Sequence, residues 1–187
     1  MLPFFLNAVN DLAGIGTILF LALAVFSVLA FLMRSGKEAS HFLAKHALLL
    51  TFILSAAGLL GSLFYSDIIG YPPCELCWWL RIFLYPQVII LLLAFRTRDV
   101  GVRSMVRLQS LVFSVFGFAV SFYQLMVVNG YVPLPACAAT GVSCARNYVT
   151  VFGWVTIPIM ALSSFLAVMT LWLHSYRSES IHRSAKK

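Results

Sequence analysis

The four cysteines of this chain fall into two pairs, Cys74 with Cys77 and Cys137 with Cys144. In Cys74-Glu75-Leu76-Cys77 the gap is two residues. A disulfide there closes a very small ring and gains little loop-closure entropy, so this spacing is more typical of a redox dithiol or a metal-ligand pair than of a staple. The wider spacing of Cys137 and Cys144 also suits a structural staple closing a short loop. Four cysteines allow three connectivities, and pairing within each pair is the first expectation. Zinc takes four protein ligands in a structural site, and the segments that carry the cysteines hold no histidine. A four-thiolate site is therefore the only zinc site expected there from protein ligands alone.

The setting of Cys74 and Cys77 points to redox chemistry. Pro72-Pro73 stiffens the approach, and an apolar run begins directly afterwards at Trp78. Cys77 is thus expected at a helix N-terminus, where the partial positive charge stabilises a thiolate. Arg81 lies four residues on, one turn deeper on the same helical face. An arginine inside a membrane span costs about 2.5–3.5 kcal/mol on insertion scales. It either snorkels to the headgroups or supports an anionic sulfur and hydrogen-bonds a polar ligand at membrane depth, and an ionisable residue inside a span favours the second. A dithiol that becomes a disulfide releases two electrons. The chain has no haem attachment motif, dinucleotide fingerprint or iron–sulfur cysteine run to take them. By exclusion, the expected acceptor is a lipid-soluble two-electron carrier, a membrane quinone.

The elements that position these residues are membrane spans. Of the 187 residues, 61% are hydrophobic and 10% charged, against about 25% charged in a soluble domain. Five apolar runs approach the length of about 20 residues that a helix needs to cross a bilayer: Leu12–Met33, Ala47–Ser66, Trp78–Phe95, Leu108–Val128 and Val151–Leu173. In lipid only helices or closed barrels satisfy the backbone, so an all-α membrane bundle follows. The net charge of +7 does not signal nucleic acid. The basic residues sit in short blocks beside the apolar runs, with no recognition motif. Arg34, Lys37 and Lys45 fall in the first connection, Arg96, Arg98, Arg103 and Arg107 in the third, and Arg177, Arg183, Lys186 and Lys187 in the tail. The second connection has no Lys or Arg, and the fourth has only Arg146. The positive-inside rule then makes the C-terminus cytoplasmic, the N-terminus external, and the second and fourth connections, with all four cysteines, external. Thiols oxidise and disulfides persist on that side.

The first run is too long, and its leading segment too poor in Lys and Arg, for a cleaved signal peptide, so it reads as a retained span. Ser55, Ala57, Gly58 and Gly61 on the second span would let another helix approach closely. Pro86 and Pro158 fall inside the third and fifth runs, where kinks are expected.

Taken together, Pro73-Cys74-Glu75-Leu76-Cys77-Trp78-Trp79-Leu80-Arg81 with Tyr85-Pro86 resembles the signature of the DsbB/BdbC disulfide-bond formation proteins. Gly141-Val142-Ser143-Cys144, Phe152-Gly153-Trp154 and Ile157-Pro158 resemble the segment after their second cysteine pair. The resemblance covers about Ala47 to Leu173 and is nearest the shorter BdbC-like branch. It implies a four-helix transmembrane core over 47–173 and an additional N-terminal transmembrane helix with its connection over 1–46. A basic cytoplasmic tail follows over 174–187, and the setting is a bacterial cytoplasmic membrane. It also implies an enzyme that reoxidises a DsbA-like thioredoxin-fold partner and passes electrons to a membrane quinone, ubiquinone or menaquinone. In that scheme the partner attacks Cys137, the released Cys144 exchanges with Cys74, and Cys77 is the thiolate at the quinone with Arg81 beside it. Tyr123 and Gln124 stand where relatives can carry a histidine near the quinone. The short gap between Cys137 and Cys144 departs from the longer proteobacterial loop, and the leading span has no assigned role beyond anchoring or packing. Two other readings are a vitamin K epoxide reductase-like enzyme, where the C-x-x-C is expected on a later span after the loop pair, and a non-enzymatic membrane protein with structural disulfides. Polar residues in the spans are too sparse to outline a transport path.

Overall fold

A computed structural model describes residues 2–32, 37–97, 99–133, 142–145 and 147–184. The order is α1 (Leu2–Leu32), α2 (Lys37–Leu63) ending in a π-helical turn (Phe64–Ile68), α3 (Glu75–Ala94), α4 (Val100–Val128), a hairpin of β1 (Thr150–Val151) and β2 (Val155–Thr156), and α5 (Ile157–Ser184). Each of the five α-helices includes a stretch long and apolar enough to cross a membrane, and the chain is a multi-pass membrane protein.

Over half of the α5 span (56%) is buried, against 22–28% of each of the others, so α5 is the central column. It packs on α1, α2 and α4, while α3 closes a four-helix ring against α2 and α4. The core joining them includes Leu54, Leu91, Val168, Leu171 and Trp172. Close approach of α4 and α5 depends on Gly117: a Cβ there would lie 2.4 Å from the Phe165 ring. Polar groups inside the bundle are mostly paired, as desolvation demands. Trp172 Nε1 donates to Ser110 Oγ at 2.9 Å, and Gln87 Nε2 to Ser55 Oγ at 2.9 Å.

The extra helix α1 lies along α5 and α2 and is fastened at both ends. Tyr65 Oη donates to Asn10 Oδ1 at 2.9 Å, and His174 Nε2 lies 2.8 Å from the Ser27 carbonyl oxygen. Between them, Gly14 lets α1 press on the hairpin, where an added Cβ would meet Phe152 and Val151 at 2.7 Å. The hairpin turn supplies that contact by holding Phe152 at φ 52° beside Gly153 at φ 78°. The first is a left-handed conformation that is uncommon for a non-glycine residue.

Three expectations change. The fifth apolar run does not start as a helix at Val151, because this turn folds residues 150–156 into a hairpin first. Pro158 is consequently the second residue of α5, in the first turn, where its missing N–H costs nothing. The small residues of α2 do not all receive a helix either: a Cβ on Gly61 would meet nothing within 4 Å. The space there belongs to a cavity.

Candidate active site

The Pro72-Pro73 approach delivers Cys74 in extended conformation (φ −75°, ψ 171°) as the N-cap of α3. Its carbonyl accepts the first helical bond from Trp78 N–H at 3.3 Å, so Cys77 sits in the opening turn. The Cys74 and Cys77 sulfurs are 3.3 Å apart as a hydrogen-bonded dithiol. Gln124, from the last stretch of α4, sends its buried amide to both, at 3.7 Å from Cys74 Sγ and 3.6 Å from Cys77 Sγ. Cys144, buried in the turn before the hairpin, lines the same small cavity as Cys74 and Cys77. The thiol of Cys74 is pushed well above the ordinary range, first by its hydrogen bond with Cys77 and then by burial. Three thiols from two segments distant in sequence thus gather at one site.

Arg81 does not snorkel. It is 4% exposed, with Nε donating to Ser62 Oγ at 3.0 Å and Nη2 donating to the Ser62 carbonyl at 2.9 Å and to Ser66 Oγ at 2.7 Å. Its guanidinium carbon also lies 5.2 Å from the centre of the Trp78 ring, within cation–π range. All three hydrogen-bond acceptors are neutral oxygens, so these bonds hold the guanidinium in place without cancelling its charge. Ser66 lies in the π-helical turn that ends α2, a distortion that recurs at functional sites.

Two cavities meet at Cys77. One, of about 60 Å³, is lined by Cys74, Cys77, Cys144, Arg81 and Gln124 among others. The second, of about 440 Å³, runs between α1, α2, α3 and α5 and is mainly apolar. Cys77, Ser62, Tyr65 and Ile157 border both.

Of the residues singled out in the sequence, Cys74, Cys77, Cys144, Arg81 and Gln124 therefore come together. Tyr123 does not join them: it is half-buried and lines neither cavity, because one step along a helix turns a side chain by about 100°. Cys137 lies outside the described residues. Ser62 and Ser66 belong to none of the sequence motifs. Their four-residue spacing puts them on one face of the helix end, and a buried guanidinium must find such acceptors.

With this geometry established, comparison with known proteins is decisive. Residues 44–175 match the family described as Disulfide bond formation protein DsbB. The chain belongs to the DsbB family. It is 38% identical over 119 residues to a probable disulfide formation protein C of Halalkalibacterium halodurans, covering 63% of this chain and 84% of the relative. It is 36% identical over 138 residues to a probable disulfide formation protein of Oceanobacillus iheyensis, covering 73% and 92%. It is also 35% identical over 121 residues to disulfide bond formation protein C of Bacillus subtilis, covering 64% and 84%. No solved structure matches. Membership gives the chain a role in disulfide bond formation as a disulfide-generating oxidoreductase. Helix α1 precedes the matched residues altogether.

Proposed function

We propose that the chain is a membrane thiol:quinone oxidoreductase that reoxidises a DsbA-like thioredoxin-fold dithiol protein, with its cysteine connections on the non-cytoplasmic side of a bacterial cytoplasmic membrane. The observation that carries this reading is Cys77: it is hydrogen-bonded to Cys74, shares one cavity with Cys74 and Cys144, and also borders a second, apolar cavity.

The exchange begins with a partner thiolate attacking Cys137 of a Cys137–Cys144 disulfide. A partner–Cys137 bond forms and Cys144 leaves as a thiolate. Cys144 then attacks Cys74 of a Cys74–Cys77 disulfide, and Cys77 leaves. The partner's second thiol attacks its own mixed disulfide, releasing oxidised partner and Cys137. Cys137 next attacks Cys144, restoring the Cys137–Cys144 disulfide and freeing Cys74. The net result is a partner disulfide and a reduced Cys74/Cys77 pair, each attack being a thiolate–disulfide exchange. The shared cavity that brings Cys144 beside Cys74 and Cys77 is the proximity this relay requires.

A bound quinone would supply the acceptor for the two electrons and two protons that leave when Cys74 and Cys77 rejoin. The residues present fit such a group. Arg81 has guanidinium N–H groups beyond the three bonds to Ser62 and Ser66 to offer a carbonyl oxygen, and the apolar cavity that Cys77 borders falls within the ~300–1,000 Å³ usual for ligand sites. Arg81, fixed by Ser62 and Ser66, holds positive charge one turn from Cys77. Gln124 holds the two sulfurs in register.

The test uses purified protein with a reduced thioredoxin-fold partner and a quinone. One quinone should be consumed per partner disulfide formed. A partner lacking its second cysteine should be trapped as a mixed disulfide on Cys137. No quinone consumption together with no adduct would sink the reading.

A further inference from the structure

The 440 Å³ cavity has a wall that the four-helix core does not provide. Val9, Leu12, Ala13, Gly16, Thr17 and Phe20 of α1 close one side of it, facing Ala57, Gly58 and Gly61 of α2 and Met160 and Ser164 of α5. Without α1, this α2–α5 face would open on the acyl chains of the bilayer. The lining is graded. At the cysteine end stand Cys77, Ser62 and Tyr65, and further down Phe20, Leu84 and Ala161. The hydroxyls deeper in the lining are spent on their own helices, Thr17 on the Ala13 carbonyl at 2.8 Å and Ser164 on that of Ala161 at 2.8 Å. From Val9 to Phe20 the α1 wall extends about 16 Å. A long cavity with a polar, redox-active end and an apolar shaft matches a polar ring carrying a hydrocarbon tail.

We propose that α1 is the outer wall of a tail-binding shaft, so that the chain holds a quinone's hydrocarbon tail between α1 and the α2–α5 face with the ring end toward Cys77. The proposal rests on the quinone reading above. The fastening of α1 supports it. The Asn10–Tyr65 bond, the Ser27–His174 contact and the Gly14–Phe152 packing fix the helix at a set distance from the core, as a wall requires and a mere anchor does not. Glycine keeps the shaft open at two opposed points: a Cβ on Gly16 or on Gly61 would meet nothing within 4 Å. A side chain added at either position therefore starts into open space.

The experiment measures binding by quenching of tryptophan fluorescence in the full chain in detergent. The probes are decylubiquinone against its tail-less parent, and an isoprenylated menaquinone against menadione. In the wild type the tail-bearing member of at least one ring class should bind about tenfold or more tighter than the tail-less one. Gly16→Leu and, independently, Gly61→Leu should erase that preference by weakening tail-bearing probes about tenfold while leaving tail-less binding unchanged. Leu19→Phe, on a lipid-facing position that is 61% exposed, should change neither. Retained single-turnover thiol exchange with the partner shows that each variant is folded. If Gly16→Leu keeps the tail preference, or the wild type shows none, the α1 wall is overturned while the quinone reading stands. If no quinone of either class binds the wild type, both fall together.

Discussion

The two cavities that share Cys77 are built on opposite principles. The smaller, of about 60 Å³, is a network: Gln124 reaches two sulfurs, Cys144 lines the same space, and Arg81 is held at three points. The larger, of about 440 Å³, is made mostly of aliphatic and small side chains whose few hydroxyls bond within their own helices or away from it. Directional bonds fix positions, whereas apolar walls fix only volume. Reacting sulfurs need the first kind of enclosure and a flexible hydrocarbon the second. Placing one cysteine in the boundary joins the two without requiring either to serve both ends.

The strongest test of that division is Cys77→Ser. Removal of the shared sulfur should lower quinone reduction with reduced partner by about a thousandfold or more. A mixed disulfide on Cys137 should still form, because the first exchange does not involve Cys77. Turnover near the wild-type rate would mean that another cysteine faces the apolar side.

Next in size is Arg81→Met, which removes charge from the polar side alone. Loss of a preorganised charge beside the reacting atoms should cost about a hundredfold in rate, with Arg81→Lys recovering part of it and tail-dependent quinone affinity unchanged. An equal loss of tail affinity would break the comparison, since Arg81 would then shape both cavities.

The burial of Cys74 offers a test by pH. Its hydrogen bond with Cys77 and its burial push the thiol up, so at a given pH it holds less thiolate than an exposed cysteine. Because the thiolate is the nucleophile, alkylation of Cys74 in the reduced protein, followed by mass spectrometry, should be about tenfold slower at pH ~8 than that of an ordinary thiol with a pKa of about 8.5. The rate should go on rising beyond that value. A plateau reached below it would show that Cys74 does not carry the proton of the pair.

Much of this was legible in the sequence. The five spans follow from hydropathy, and the dithiol from the C-x-x-C spacing with Arg81 one turn on. Gln124 and Tyr123 are neighbours in the sequence, and only the helical phase of α4 separates them. What stayed hidden depended on contacts between segments distant in sequence. Whether Arg81 snorkels is decided by Ser62 and Ser66 on another helix. The late start of α5 is decided by the backbone of Phe152 and Gly153, whose φ values a run of apolar residues does not reveal. The place of α1 is decided by single contacts such as Asn10 with Tyr65, which no spacing rule signals.

Gln124→Leu keeps the volume and removes the amide from both sulfurs, at 3.6 and 3.7 Å. With net hydrogen-bond contributions of about 1 kcal/mol, a fivefold fall in rate or so is expected, and tail affinity should again be unchanged. This is the polar network's smallest separable part, and an effect as large as that of Arg81→Met would give Gln124 a direct role toward the carrier.

The smallest effect concerns the joint between α1 and the core. Tyr65→Phe removes the hydroxyl that donates to Asn10 at 2.9 Å and alters almost nothing in the outline of either cavity. It should lower thermal stability by about 1 kcal/mol with little change in turnover, and Asn10→Ala should do the same. The double variant should lose little more than either alone, because both delete one interaction. Additive losses would mean that the two side chains act separately, and that α1 is held at this end by something other than the bond between them.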